Sequence, residues 1–327
     1  MVIEQAILHI MDIDNEAVIC TDQVLDLSEK AVADYLYAIV EKALKQDAKT
    51  GDLDQTTELV HDFFQIENNF IEASKKYSQL WHDISRGIEM PTGDYLCVAF
   101  SHEGLHYVSL IHLFHSEQIT HFLDYNDQGL VNKLIMNRTL LPKPSSNLKE
   151  AIIFNQKGQY RLIETKYKVE DKKQFYLGPR FLQIKTPKHT VSDSLKEVKA
   201  IVTDIAKDLQ EDNYQVTAKL QEAVYETVET GNLDLQFIEE KLFSGQQEVK
   251  ERFAKKVSEK EIVNQEIPDQ EKFTKKYAKQ KFKLDNGIEL TIPMDVYQNP
   301  NIIEFINQPD GSVSVMIKNI DEIKNKF

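Results

Sequence analysis

The sequence predicts an α+β protein: an antiparallel or mixed sheet covered by helices over 1–188, a helical segment over 189–280, and a small C-terminal β region over 281–327. Three observations predict it. Residues 95–100 and 105–114 are apolar runs rich in Val, Ile, Tyr and Phe. The glycine-bearing link Ser101-His102-Glu103-Gly104 joins them, as in a hairpin with a longer loop. From Thr190 the composition turns helical, with Leu195, Val198, Ile201, Val202, Ile205 and Leu209 on one stripe. After 281 it returns to short strands around Asp285-Asn286-Gly287 and Pro309-Asp310-Gly311.

Residues 2–11 and 17–27 read as paired strands across the acidic turn Asp12-Ile13-Asp14-Asn15. Ser28 is placed to cap the next helix by accepting a free first-turn N–H, and Val32, Leu36, Ile39, Val40 and Ala43 form that helix's apolar stripe. The polar stretch 49–57, with Gly51, reads as a surface connection. A long helix follows over 68–86, its apolar face carrying Phe70, Ala73, Tyr77, Leu80, Trp81 and Ile84, until Pro91-Thr92-Gly93 breaks the pattern. In the central hairpin Leu96, Val98 and Phe100 point one way, and Tyr95, Cys97 and Ala99 the other. Both sides are apolar, so the hairpin belongs mid-sheet with a layer on each side. The two helices before it are expected to cover one of those faces.

Strand character continues over 119–125 and 130–141, and 142–147 is a loop. Residues 151–154 and 160–167 flank Asn155-Gln156-Lys157-Gly158, a further hairpin signal. The segment 172–184 is amphipathic but interrupted at Gly178-Pro179, so a helix there is broken. In the helical region Ser194 and Glu197 have capping-box spacing, with Ser192 an equal alternative as the helix start. A second helix carries Leu220, Val224 and Val228 and ends at Gly231; shorter ones cover 235–243 and 247–257. The Asn286-Gly287 pair suits a type I′ turn between 282–284 and 288–292. With 302–306 and 313–317, these strands are expected to make one three- or four-stranded sheet.

The chain has 327 residues, room for about two domains. Its apolar content of 41% beside 28% charged residues is that of a soluble globular protein. No apolar run approaches the roughly 20 residues that span a bilayer. The opening MVIEQAILHIMD lacks a basic n-region and a small-residue cleavage site, and reads as a first strand. Cys20 and Cys97 sit in apolar runs, as buried free thiols of a reducing compartment do, which points to the cytoplasm.

A net charge of −14 argues against a protein that coats nucleic acid with its whole surface. The charge is unevenly spread, however. Residues 1–150 carry 24 acids and 11 Lys/Arg, whereas 151–188 carry 9 bases against 3 acids. Residues 189–270 return to 18 acids against 10 bases, and 272–283 then hold 6 lysines and no acid.

Ile7-Leu8-His9 in the first strand is followed by the 94–113 hairpin, Phe122-Leu123-Asp124-Tyr125 and the 130–141 strand. Then come Phe175-Tyr176-Leu177, Arg180-Phe181-Leu182, Leu290-Thr291-Ile292 and the 313–318 strand. In order and total length this resembles the 37-kDa nucleoid-associated protein family of bacteria, over almost the whole chain. Members of that family carry a basic run leading into an unbroken Phe-rich helix. Here Lys172-Lys173 supplies basic character, but Gly178-Pro179 breaks the segment. The resemblance implies a cytoplasmic, nucleoid-associated, non-enzymatic protein with no catalytic residue and no cofactor to carry over. It leaves open direct DNA contact or a protein partner. A homodimer is expected on the base rate for bacterial proteins of this kind.

Direct DNA contact would use Lys166, Lys168, Lys172, Lys173, Arg180, Lys185 and Lys188, with Lys275, Lys276, Lys279, Lys281 and Lys283 as the second set. Cations close together in sequence are what phosphate neutralisation needs, and the two runs are expected to form one non-specific patch. Tyr167, Phe175 and Tyr176 are either core or stacking groups for unpaired bases. On a helix Lys272, Lys275, Lys276 and Lys279 would share a face. No helix-turn-helix, zinc-finger or basic-zipper pattern accompanies them.

His102, His106, His112, His115 and His121 crowd one region, but no Cys pair, HExxH or carboxylate-rich loop completes a metal site. Glu164-Thr165-Lys166, placed on a hairpin strand, has the Glu-x-Lys form of a metal-dependent nuclease, without an evident upstream Asp partner. No P-loop, GxGxxG or Ser nucleophile elbow is present. A non-enzymatic protein–protein scaffold, with 190–260 as a partner or dimer face, is the third reading.

Overall fold

In the computed structural model, which describes residues 1–12, 16–54, 56–127, 129–169, 171–184, 189–209, 213–309 and 312–324, the chain divides into two units, 1–190 and 191–327. Helices and antiparallel strands share it, as an α+β protein. The first unit begins with β1 (Val2–Asp12), β2 (Ala17–Ile19), α1 (Lys30–Lys45), β3 (Lys49–Asp52), α2 (Glu58–Phe64) and α3 (Phe70–Ser85). Next come β4 (Gly93–His102), β5 (Leu105–Phe114), β6 (Ser116–Asn126) and β7 (Gly129–Leu140). It ends with β8 (Ala151–Asn155), β9 (Gln159–Ile163), β10 (Tyr167–Val169), β11 (Lys172–Gln174) and α4 (Leu177–Arg180).

Seven strands form one sheet in the order β2-β1-β4-β5-β8-β9-β3, with every neighbour antiparallel. The apolar hairpin β4–β5 lies at its centre, as its two apolar faces require. Leu96, Val98 and Phe100 pack with Leu36, Ile39, Val40 and Ala43 of α1 on one side. Tyr95, Cys97 and Ala99 pack with Leu59, Tyr77 and Trp81 of α2 and α3 on the other. The long helices therefore cover opposite faces, where one shared face was expected. A two-faced apolar sheet needs a layer on each side, and α1 and α3 supply one apiece. The hairpin loop is also shorter than expected. Glu103 and Gly104 both take positive φ (50° and 77°), so two residues close it as in a type I′ turn.

Ser28 caps nothing: α1 starts at Lys30 with Glu29 at the cap position, and the Ser28 N–H donates to Asp26 Oδ1 at 2.8 Å. The expected second strand shrinks to β2, and Cys20 just after it is partly exposed, whereas Cys97 is buried. Residues 49–52 form the edge strand β3, paired with β9 from Lys49↔Leu162 to Asp52↔Gln159, in place of a surface connection. Gly51 is needed there, because a Cβ would lie 2.7 Å from the Tyr160 hydroxyl. Lys172 belongs to a small hairpin, β10–β11, and α4 runs through Gly178-Pro179. A four-residue helix tolerates that proline, since first-turn N–H groups have no intrahelical partner to lose. Strands β6 and β7 pair with each other and with no other described strand.

His9 on β1 is fully buried, its Nε2 2.9 Å from Ser74 Oγ and its Nδ1 accepting the Thr21 N–H at 3.2 Å. Burial, and then the charge of Lys75, hold its pKa down to about 4 from 6.5. The unfolded chain thus takes up a proton below pH 6.5 that the folded chain refuses until about pH 4. The contribution of neutral His9 to stability is expected to be full above pH 6.5 and to fall by roughly 2–3 kcal/mol as pH drops to 4. Urea midpoints read from Trp81, the chain's single tryptophan, should show this decline, and His9→Gln should flatten it.

The second unit runs α5 (Val191–Asp208), α6 (Asn213–Glu229), β12 (Asn232–Leu233), α7 (Leu235–Phe243) and α8 (Gln247–Glu259). It continues through β13 (Gln265–Glu266), α9 (Gln270–Tyr277), β14 (Lys279–Lys283), β15 (Glu289–Pro293), α10 (Met294–Tyr297), β16 (Ile303–Asn307) and β17 (Val313–Ile317). Val198, Val202 and Ile205 of α5 meet Leu220, Val224 and Val228 of α6, Ile238 of α7 and Phe253 of α8 in one core. Because α5 already begins at Val191, neither Ser192 nor Ser194 starts it; Ser194 is buried inside the helix. Leu209 leaves the stripe and is exposed just past the helix end. The C-terminal strands make two separate hairpins, β14–β15 and β16–β17, in place of one larger sheet. Side chains join them instead: Phe282 lies 5.1 Å from Phe305 and 6.0 Å from Tyr297 between ring centroids. Of the Asn-Gly pair only Gly287 takes positive φ (87°), so the loop is not type I′.

Candidate nucleic-acid interface

In the second unit the basic run spans two kinds of element. Asp269 caps α9 by accepting the Lys272 N–H at 3.1 Å, and Phe273 anchors the helix in the core. Lys272, Lys275 and Lys276 are left exposed on the helix. The helix ends at Tyr277, so Lys279 does not extend its face, contrary to the helical spacing. It opens β14 instead. There Gln280 is buried and donates to Ala218 O at 2.8 Å, and Phe282 packs inward. With period two, those anchors force Lys279, Lys281 and Lys283 onto the other, exposed face. Their cross-strand neighbours are Pro293, Thr291 and Glu289.

Two of these lysines have carboxylate neighbours. Lys275 meets Glu271 one turn back, and that hydrogen bond and charge raise its pKa. Lys283 stands 3.8 Å from Glu289. Both pairs are exposed, and such pairs are weak enough to be exchanged for a phosphate. Lys276 lies over the Tyr277 ring at 5.1 Å.

In the first unit the β10–β11 hairpin sets Lys168 opposite Lys173, on one face. Like charges directly across a ladder repel. Asp171 in the turn relieves part of this through a 2.9 Å contact with Lys168. Lys172 is exposed on the opposite face, across from Val169. Lys166 is exposed with its ammonium 4.9 Å from the Phe175 ring. Arg180 donates to Ile84 O at 3.0 Å, so part of its guanidinium is already engaged. Lys185 and Lys188 lie outside the described residues.

The interleaved aromatics are mostly structural. Tyr176 is buried, donates to Glu150 Oε2 at 2.7 Å and accepts from Trp81 Nε1 at 3.1 Å. Burial and the Glu150 charge push its phenol pKa far up. It is therefore unavailable for stacking on a base, while Tyr167 and Phe175 are half-buried.

The other constellations are committed elsewhere. Glu164 lies just beyond β9, off the strand on which it was expected, and its carboxylate takes Lys49 Nζ at 2.8 Å and the Gly178 N–H at 3.0 Å. Lys49, expected on a surface connection, is the partner that the sequence pattern does not reveal. Four of the five clustered histidines lie beside a carboxylate, His102 by Glu103, His106 by Glu4, His112 by Glu150 and His115 by Asp94, while His121 is exposed on β6. No group of three metal-ligating side chains occurs among the described residues.

Exposed lysine clusters thus stand on both units of an α+β frame whose strands follow one another in the order set out above. Residues 7–324 match the family model for nucleoid-associated protein YejK. The chain belongs to this family. No curated protein matches it. Membership of this family associates the chain with the nucleoid. No helix among the described residues is long and apolar enough to cross a membrane.

Proposed function

We propose that this nucleoid-associated chain is a non-enzymatic cytoplasmic protein that touches DNA directly, without sequence preference, and works as a homodimer. The observation that carries the reading is the row Lys279, Lys281 and Lys283 on one exposed face of β14. Alternate strand residues stand about 6.7 Å apart. A duplex presents one phosphate per ~3.4 Å of axis on each strand, so the row spans several phosphates. Lys272, Lys275 and Lys276 extend the basic segment along α9, and the Lys168–Lys173 pair gains further, since a phosphate between them relieves their repulsion. The acidic remainder of the chain keeps DNA binding local to these segments.

Lys279→Thr/Lys281→Thr/Lys283→Thr tests it, threonine being suited to an exposed strand. Every phosphate left without its lysine should flatten the dependence of log affinity on log salt by about 0.9, so the triple variant is expected to take roughly 2.5–3 off the slope. An unchanged slope would remove this face from the interface. Retention of chromosomal proteins on the purified chain after nuclease treatment of a lysate, with no DNA affinity of its own, would favour a partner-mediated route.

A further inference from the structure

We propose that one face of the β6–β7 ribbon is the surface on which two copies of this chain pair. This gives a place to the homodimer proposed above and rests on that reading, independently of DNA contact. The ribbon's register sets Ile119 opposite Met136, His121 opposite Leu134, Leu123 opposite Asn132 and Tyr125 opposite Leu130. These eight residues share one face, because paired strand residues point the same way. Six of them are large and apolar, with exposures running from 48% at Met136 to 78% at Leu134. The other two are His121 and Asn132, so this face holds no Asp, Glu, Lys or Arg. The opposite face differs: Phe122 and Ile135 are exposed there beside the Asp124–Lys133 ion pair.

An isolated two-stranded ribbon is marginal in water, and an uncharged apolar stripe of this length is a surface awaiting a cover. Its charge says what kind. Between residues 116 and 140 Glu117, Asp124 and Asp127 outnumber Lys133 and Arg138, so the ribbon has no excess of cations for phosphate or acidic lipid. It fits an apolar, uncharged protein surface, and the same stripe on a second copy is one. A two-fold axis through its middle sets Tyr125 and Leu130 near the tip of one copy against Ile119 and Met136 of the other, an isologous contact. Two stripes face to face remove on the order of 1,000 Å² from water in total, at the lower bound for a biological interface.

The test is sedimentation of the full chain at micromolar concentration, with Trp81 fluorescence and circular dichroism as checks on folding. Wild type is expected to be a dimer. Leu123→Glu/Leu134→Glu, both at exposed positions, should weaken the dimer at least a hundredfold while leaving the fold intact. Phe122→Glu, on the other face, should leave it unchanged. A monomeric wild type overturns the proposal, as does a double variant that still pairs, equal damage from Phe122→Glu, or a monomer that binds neutral lipid vesicles through Leu134. A monomer that retains salt-dependent DNA affinity overturns only the pairing surface. Loss of the dimer in Leu123→Glu/Leu134→Glu supports the surface even when no DNA affinity is found.

Discussion

Lys49→Met is expected to destabilise the first unit by about 3–5 kcal/mol, the cost of leaving one member of a buried ion pair alone. Both side chains are almost wholly shielded, at 5% for Lys49 and 2% for Glu164. The ammonium also sits 3.4 Å from the centroid of the Phe175 ring, so the lysine ties β3, the end of β9 and the segment before α4 together. Removing it strands a carboxylate whose remaining bond among the described residues is from the Gly178 N–H. The double variant Lys49→Met/Glu164→Gln should recover much of the loss, because no uncompensated charge remains and the amide oxygen can still accept from Gly178. Urea unfolding followed by Trp81 fluorescence reads this unit alone. A single variant as stable as wild type would show that water reaches the pair.

Trp81→Ala is the second large effect, at about 3–5 kcal/mol. The indole is 1% exposed and lies 5.5 Å from Phe181 and 5.9 Å from both Tyr95 and His112 between ring centroids. Its N–H donates to Tyr176, whose hydroxyl in turn donates to the fully buried Glu150. Truncation thus opens a cavity and strips a donor from a buried polar chain. Trp81→Phe keeps most of the packing and loses only the donor, so it should cost clearly less. Circular dichroism replaces fluorescence as the probe here. Equal losses in the two variants would place the energy in the hydrogen bond and not in the packing.

What was legible in the sequence was whatever a local pattern encodes directly. Alternation along 95–100 assigned Leu96, Val98 and Phe100 to one core and Tyr95, Cys97 and Ala99 to the other, because strand side chains alternate whatever lies beyond them. Lys49 was not legible. A lysine reads as surface until Glu164, 115 residues away, is found beneath it. The helical spacing of Lys272, Lys275, Lys276 and Lys279 misled because the chain changes from helix to strand inside the run, where Gln280 is pinned to Ala218 O. The pattern over 119–125 and 130–141 encodes strands, but an apolar alternation looks the same whether its face is buried in the chain or left bare.

The change from helix to strand at Lys279 matters to function as well as to fold. Had Lys279 continued α9, the lysines would have formed one short helical cluster. On β14 it begins a straight row at strand spacing instead, a geometry suited to following a phosphate backbone. Arg180, by contrast, is weakened as a candidate by its bond to Ile84 O.

The most direct test of DNA contact is the anisotropy of a labelled duplex titrated with the full wild-type chain across a range of salt concentrations. The row Lys279, Lys281 and Lys283 predicts that log affinity falls linearly with log salt, with a slope of about −3 or steeper, alike for unrelated sequences. No binding at low salt, or a slope near zero, would contradict it.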